Sequence, residues 1–324
     1  MKAAVVYQLG EMPQYTENFP EPVVQNENEL LISVKAAAIK QLDKSRASGK
    51  HYSADTDISK AMIPGGDGVG LLEDGTRVFA FGVKGMMAEK SIIDKRAIVK
   101  LPEGIDNATA AALPNAIAGS AMALRFRAGM QVGETVLING ATGFTGRIAI
   151  QVAKHYGAKK IIVTGRNETS LKSLLELGAD EIISTQQADG DFINQLKEMN
   201  ANNPIDIIID YLWGHTAQLI LEALKGKGAI THRVRFVSIG AITDHNIQLS
   251  SEILRSSDLQ ILGSGIGSWT MAEMQQLISE IVPEMLQLAA DKKLKVETEK
   301  VNLKDIENLW KMEIQGGKRL VVII

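Results

Sequence analysis

The sequence predicts an α/β chain in two parts: a β-rich first part, then a doubly wound parallel sheet with helices on both faces. Three observations carry this prediction. Residues 135–146 read TVLINGATGFTG, where the apolar run Val136-Leu137-Ile138 meets a turn holding Gly140, Gly143 and Gly146. The following IAIQVAKHYGA repeats Ile148, Val152 and Tyr156 at every fourth position beside Ala149 and Ala153, so strand, tight turn and amphipathic helix follow one another directly. Beyond Gly133, strand-like and helix-like runs alternate at the spacing of βα units. Finally, 324 residues exceed what most single hydrophobic cores contain.

In chain order, strands are predicted at residues 3–7, 29–38, 68–72, 77–81 and 97–100, separated by Gly, Pro, Asn and Asp signals. The run ATAAALPNAIAGSAMAL after Asn107 has helical propensity and a break at Pro114. Strands at 136–139, 160–164, 181–184, 205–210 and 235–239 then interleave with helices at 145–156, 169–177, 191–199 and 215–224. A short strand at 259–263 follows. The tail from Met271 holds two helical stretches and ends in the apolar strand 319–324. That last strand has no place in the doubly wound sheet, so it is expected to return to the first domain.

Composition narrows the function. Hydrophobic residues are 45% and charged residues 23%, an ordinary globular balance. A net charge of −3 argues against nucleic acid or an anionic membrane surface as partner. The absence of cysteine removes disulfides and thiolate metal sites and suits a reducing compartment. Glu11 and Pro13 interrupt the N-terminal apolar run before a signal-peptide core, and no apolar segment approaches the ~20 residues that span a bilayer. The expected setting is the cytoplasm.

The glycine turn carries the chemistry. A helix N-terminus offers backbone N–H groups and the positive end of its dipole to an anion, and glycine lets the backbone approach a phosphate. Gly140 makes the turn, Gly143 admits a pyrophosphate, and Gly146 allows helix–sheet contact, with Ala141 and Phe144 completing the loop. Thr142 and Thr145 add hydroxyl donors. The bland alternative is a tight turn without a ligand.

The end of the second strand of this domain chooses between cofactors, because a ribose 2′-hydroxyl wants an acid there and a 2′-phosphate wants arginine. The chain places Gly165-Arg166-Asn167 there. Arg166 suits bidentate phosphate contact and Asn167 adds a donor, so NADPH is favoured over NADH. Glu168 is the counter-signal, equally suited to partner a helix N-terminus, and Lys172 reads as a solvated helix residue.

With these segments placed, the chain resembles the medium-chain dehydrogenase/reductase superfamily, in particular its zinc-independent quinone oxidoreductase-like branch. The resemblance rests on MKAAVV, PGGDGVG (64–70), GTRVFAFG (75–82), VKLPEG (99–104), the glycine turn, GADEIIST (178–185) and GGKRLVVII (316–324), in that order. It implies an α/β fold made of a GroES-like β-barrel domain plus a Rossmann doubly wound parallel-sheet domain. The implied boundaries are 1–118, 119–262 and a return over 263–324. It also implies a homodimer, and a nicotinamide framed by backbone at Ile239, Gly240, Gly263 and Gly265. Asn115 and Ser120 stand where relatives carry a nicotinamide-contacting Leu-Pro-Leu-x-Gly-Leu-Thr-Ala pattern.

Zinc alcohol dehydrogenases of the superfamily place Cys and His ahead of an Asp and, later, a His-Glu pair. Here Lys40 and Gln41 precede Asp43, and Gly66-Asp67 replaces His-Glu. GVKGMMAE (82–89) crosses the usual position of the structural zinc lobe, and His51, His155, His215, His232 and His245 show no ligand spacing. No metal site is expected.

The implied reaction is hydride transfer from NADPH to a quinone or an α,β-unsaturated carbonyl, the small-molecule partner. Tyr52 and Lys40 are the catalytic candidates, as donors to developing oxygen charge. Their bland alternatives are a tyrosine that merely lines a cleft and a solvated loop lysine. Two rival functions stay open: an NADPH-binding regulatory or structural protein without turnover, and a zinc alcohol dehydrogenase, which the missing ligands disfavour.

Overall fold

The structure, a computed structural model, describes residues 1–52, 61–312 and 314–324. In chain order these form β1 (Ala3–Val5), β2 (Gln14–Thr16), β3 (Glu29–Ala38), α1 (Gln41–Ala47), β4 (Asp67–Leu71), β5 (Arg77–Gly82), β6 (Lys90–Lys100) and α2 (Asn107–Met122). Alternating elements follow: β7 (Thr135–Asn139), α3 (Phe144–His155), β8 (Lys160–Gly165), α4 (Glu168–Ser173), β9 (Glu181–Ser184), α5 (Asp189–Asn202), β10 (Ile207–Asp210), α6 (Gly214–Ala223) and β11 (Val234–Ser238). The chain closes with α7 (Ser251–Ser256), β12 (Leu259–Gly263), α8 (Met271–Gln276), α9 (Val282–Ala290), β13 (Thr298–Asn302), α10 (Ile306–Leu309) and β14 (Arg319–Ile323).

Two compact units result: Met1–Pro114 with Ile278–Ile324, and Asn115–Leu277. Both divisions differ from those expected at 118/119 and 262/263. The first shifts because it falls inside a continuous helix. Pro114 does not interrupt α2, since apolar burial of Ala112, Leu113, Ala116 and Ile117 outweighs one lost backbone bond. The second shifts because α8 stays with the second unit, where Glu273 pairs with Arg127.

In the first unit the sheet order is β13-β14-β3-β4-β5-β6, and β6 pairs back onto β3 to close a barrel-like, GroES-like sheet. The alternation of β3 buries Ile32 and Val34 on the core face while Leu31 and Ser33 point outward. The glycines of PGGDGVG have a packing cause: a Cβ at Gly68 would lie 2.7 Å from the Ala36 carbonyl oxygen, and one at Gly70 would lie 2.8 Å from Ile32 Cδ1. The final strand β14 runs antiparallel to β3, with Val321 opposite Ala38, so the tail does rejoin the first unit. The sequence pattern does not reveal β2, β13, α1, α7 or the first half of β6, which are short or carry mixed polar texture.

The second unit holds a six-stranded, all-parallel Rossmann-like sheet ordered β12-β11-β10-β7-β8-β9. Leu137, Ile162, Ile208 and Phe236 centre its core. From β7 the chain builds outward through β8 and β9, then crosses back to lay β10 against the other side of β7. Strand order therefore reverses between β7 and β10, and in such sheets ligands bind beyond the carboxyl ends of the strands at that point. Among the described residues, no helix is long and apolar enough to cross a membrane.

Candidate cofactor site

A buried polar network fixes the crevice where strand order reverses. Asn139 ends β7 and Asp210 ends β10; with Thr164 of β8, all three are fully buried. Asn139 donates through Nδ2 to Asp210 Oδ1 at 2.7 Å and accepts the Thr164 hydroxyl at 2.6 Å. The Gly140 N–H in turn reaches Thr164 Oγ1 at 3.1 Å. Asp210 also accepts the N–H groups of Leu212 and Trp213, each at 3.0 Å. Burial pushes the Asp210 carboxyl above its ordinary value, and those donors offset only part of the rise. The turns after β7 and β10 are thus tied through side chains, which the strand pattern alone does not reveal.

The glycines of the first turn then separate by cause. Gly140 has φ +84°, and a Cβ there would sit 2.7 Å from Leu212 Cγ. A Cβ at Gly146 would sit 2.5 Å from Ala141 Cα, so this glycine lets α3 close onto the turn. Gly165 likewise gives room to Thr142 and Leu171. Gly143, the N-cap of α3, is different. It is exposed, has an ordinary φ of −76°, and a Cβ on it would meet nothing within 4 Å. Neither fold nor conformation requires glycine there. Around it Ala141 and Phe144 are buried, while Thr142 and Thr145 are half-buried.

At the end of β8, Arg166 is exposed, and no carboxylate among the described residues pairs with it. Asn167 caps α4, its Oδ1 accepting the Ser170 N–H at 2.8 Å. That task takes the side-chain oxygen of a residue expected to serve only as a donor. Arg166, Asn167, Glu168, Thr169 and Gln186 line one surface depression, so the expected cation and the counter-signal Glu168 share a site.

On the opposite side of β7, Ile239 and Gly240 follow β11 and donate to the Asp210 carbonyl at 2.8 and 3.3 Å. Gly240 is glycine because a Cβ would lie 2.8 Å from the Tyr211 carbonyl oxygen. Gly263 is open, with nothing within 4 Å of its would-be Cβ, and Gly265 donates its N–H to Ser268 Oγ at 3.0 Å. Asn115 lies half-buried on α2, one helical turn before Gly119. A Cβ at Gly119 would face Ile239, Thr145 and Tyr211 at 3.6–3.8 Å, so these residues converge. Ser120 is fully buried, and its hydroxyl donates to the Ala116 and Ile117 carbonyls within its own helix. Sequence reasoning missed Asn139, Thr164, Asp210 and Tyr211, although Asn139 and Asp210 are polar residues closing apolar strands and could have been noticed for that reason.

In the first unit, Lys40 departs from both sequence readings. It is 1% exposed, neither a solvated loop lysine nor a free donor. Its Nζ lies 2.6 Å from Asp67 Oδ1 and 3.3 Å from Asp43 Oδ2. Asp43 also accepts the N–H groups of Lys40 and Gly66, and buried Arg319 of β14 donates to the Ile39 carbonyl at 3.2 Å. Burial alone would lower the Lys40 pKa, but Asp43 and Asp67 reverse this and hold it above the ordinary value. The ammonium is thereby committed to tying α1 to β4. Tyr52 is 80% exposed, its ring 4.2 Å from that of His51.

The same cluster decides the fit of a metal. Lys40 and Asp67, which the resemblance sets against zinc-ligand positions, meet each other and Asp43, so a cation built into the chain already neutralises the acids. Among the described residues, no group of three or more His, Cys, Asp or Glu could hold a metal ion. The donor set does not fit catalytic zinc, which needs about three neutral or anionic protein ligands and an open position.

Comparison with known proteins agrees with this architecture. A family model described as zinc-binding dehydrogenase matches residues 145–283. Quinone oxidoreductase of Homo sapiens is 27% identical over 286 residues, covering 85% of this chain and 83% of that protein. An Emericella nidulans protein named as a probable NADPH-dependent quinone reductase is 26% identical over 350 residues, covering 96% of each chain. Among solved structures, quinone oxidoreductase of Thermus thermophilus superposes with a TM-score of 0.78 at 24% identity, covering 100% of both chains.

The buried cluster makes a direct prediction. Lys40→Met strands Asp43 and Asp67 without their cation and is expected to cost about 3–5 kcal/mol of stability, measured by urea unfolding. A loss below ~1 kcal/mol would show that the ammonium does not hold the cluster together.

Proposed function

We propose, from the premise that this chain belongs to the quinone oxidoreductase-like branch of the medium-chain dehydrogenase/reductase superfamily, that it is an NADPH-dependent oxidoreductase acting without zinc. Its acceptor is a quinone or an α,β-unsaturated carbonyl. The observation that carries the reading is Gly143: the one glycine of its turn that the protein itself does not need stands at the N-terminus of a 12-residue helix. A side chain there would project into open space, where it would obstruct only a ligand.

Bound NADPH supplies a hydride from its nicotinamide C4. The chain's own residues do the rest. The α3 N-terminus and the Gly143 backbone hold the pyrophosphate, with Ala141, Thr142, Phe144, Thr145 and Gly146 shaping the loop around it. Arg166 and Asn167 hold the 2′-phosphate beside Gly165, and the charge of Arg166, unpaired among the described residues, supports that assignment. Backbone at Ile239, Gly240, Gly263 and Gly265, together with Asn115, orients the nicotinamide. Exposed Tyr52 donates a hydrogen bond or proton to the acceptor oxygen, whereas Lys40 acts from within its ion cluster to keep the segment after β3 in place. The names of the relatives support the acceptor class, and the Lys40 cluster supports independence from zinc. A cytoplasmic homodimer is the form the resemblance implies.

Two measurements test the proposal. Steady-state NADPH oxidation over a panel of quinones and enones is expected to proceed, with rates unchanged after exhaustive chelation. Tight NADPH binding with no acceptor reduced would favour a binding protein without turnover, and restoration by added zinc would favour the metal enzyme. Arg166→Ala is expected to raise the NADPH dissociation constant roughly tenfold or more while leaving that of NADH nearly unchanged, as read by calorimetric titration. Equal effects on both would remove Arg166 from phosphate recognition.

A further inference from the structure

The turn after β10 carries two local costs. Tyr211, directly after Asp210, is 6% exposed, and its hydroxyl is buried with no hydrogen-bond partner among the described residues. Burial pushes its pKa well above the ordinary tyrosine value, so the group is a neutral phenol carrying a proton to donate. A buried hydroxyl left unpaired is unfavourable, and a phenylalanine of the same shape would avoid that cost.

Two residues later, Trp213 adopts φ 58° and ψ −158°, a left-handed conformation that a bulky side chain rarely occupies. It is held there from two sides. Its N–H is bonded to Asp210 Oδ2 at 3.0 Å, and its carbonyl accepts the Thr243 hydroxyl at 3.0 Å.

Both features stand at the point where strand order reverses. The Tyr211 N–H is anchored on the Asn139 carbonyl at 3.2 Å, and its ring faces Gly119, beside Thr145 and Ile239. These residues lie on the β10–β11 side of β7, whereas Arg166 lies on the β8 side. A dinucleotide straddling α3 with its 2′-phosphate at Arg166 extends its other nucleoside toward Tyr211.

We propose that Tyr211 is a cofactor-binding residue whose hydroxyl donates a hydrogen bond to an oxygen of the nicotinamide nucleoside half of the dinucleotide. This rests on the reading of the second unit as a dinucleotide domain. The strained turn at Trp213 serves to present Tyr211 at the crevice.

Tyr211→Phe separates this role from packing, because it removes one oxygen and keeps the ring. Dissociation constants are measured by calorimetry for NADPH and for 2′,5′-ADP, which lacks the nicotinamide nucleoside, and thermal melting is followed without ligand. The expected result is about a fivefold to tenfold weaker NADPH complex, unchanged 2′,5′-ADP affinity, and a ligand-free melting temperature equal to or above wild type. Unchanged NADPH affinity, or equal weakening of both ligands, overturns the proposal while the dinucleotide reading stands. If the wild-type protein binds neither ligand, both fall.

Discussion

The side-chain link between the ends of β7 and β10 is the constraint on which the candidate site depends. Parallel strands leave their carboxyl ends open, and at the reversal of strand order two neighbouring chains depart in opposite directions. Asn139, Asp210 and Thr164 close that gap with buried hydrogen bonds of 2.6–2.7 Å, and the N–H groups of Leu212 and Trp213 complete the coordination of Asp210. Each buried polar group left unpaired would cost on the order of 1–3 kcal/mol, so the network is stable only when complete. Once it is complete, Leu212 lies on Gly140, Ala141 lies under Gly146, and the first turn of α3 is fixed with Gly143 facing open space.

A second buried network does comparable work in the first unit. Lys40, Asp43, Asp67 and Arg319 balance two positive against two negative charges, with every member less than a tenth exposed. It joins three stretches far apart in sequence: the segment after β3, the start of β4, and the strand that returns from the C-terminal segment. Burial makes such a cluster expensive unless its partners are all present, which makes Lys40 a structural cation rather than a surface charge. The same placement commits Asp43 and Asp67 to a cation of the chain itself.

The doubly wound sheet was legible because its strands are short apolar runs separated by helices of clear period; β9 and β12 have the predicted bounds, as does β3 of the first unit. Short strands such as β2 and β13 mix polar and apolar residues, and their existence depends on partners distant in the chain, which no local pattern records. The cofactor loop was legible through its glycines, but their separate causes were not. Gly140, Gly146 and Gly240 answer to side chains or backbone brought near by the fold, whereas Gly143 answers to nothing among the described residues. The role of Lys40 was hidden because a lysine at the end of an apolar run, directly before Gln41, gives no sign of two carboxylates converging on it. Tyr211 was hidden too, because a tyrosine after an apolar strand reads as core, and only its unpaired hydroxyl marks it out.

The measurement that tests this site most directly is a crystal structure of the protein with saturating NADPH. The pyrophosphate is expected against the Gly143 backbone at the α3 N-terminus, the 2′-phosphate in contact with Arg166, and the nicotinamide on the β10–β11 side of β7. A dinucleotide bound in the reverse direction, or bound away from the glycine turn, would contradict it.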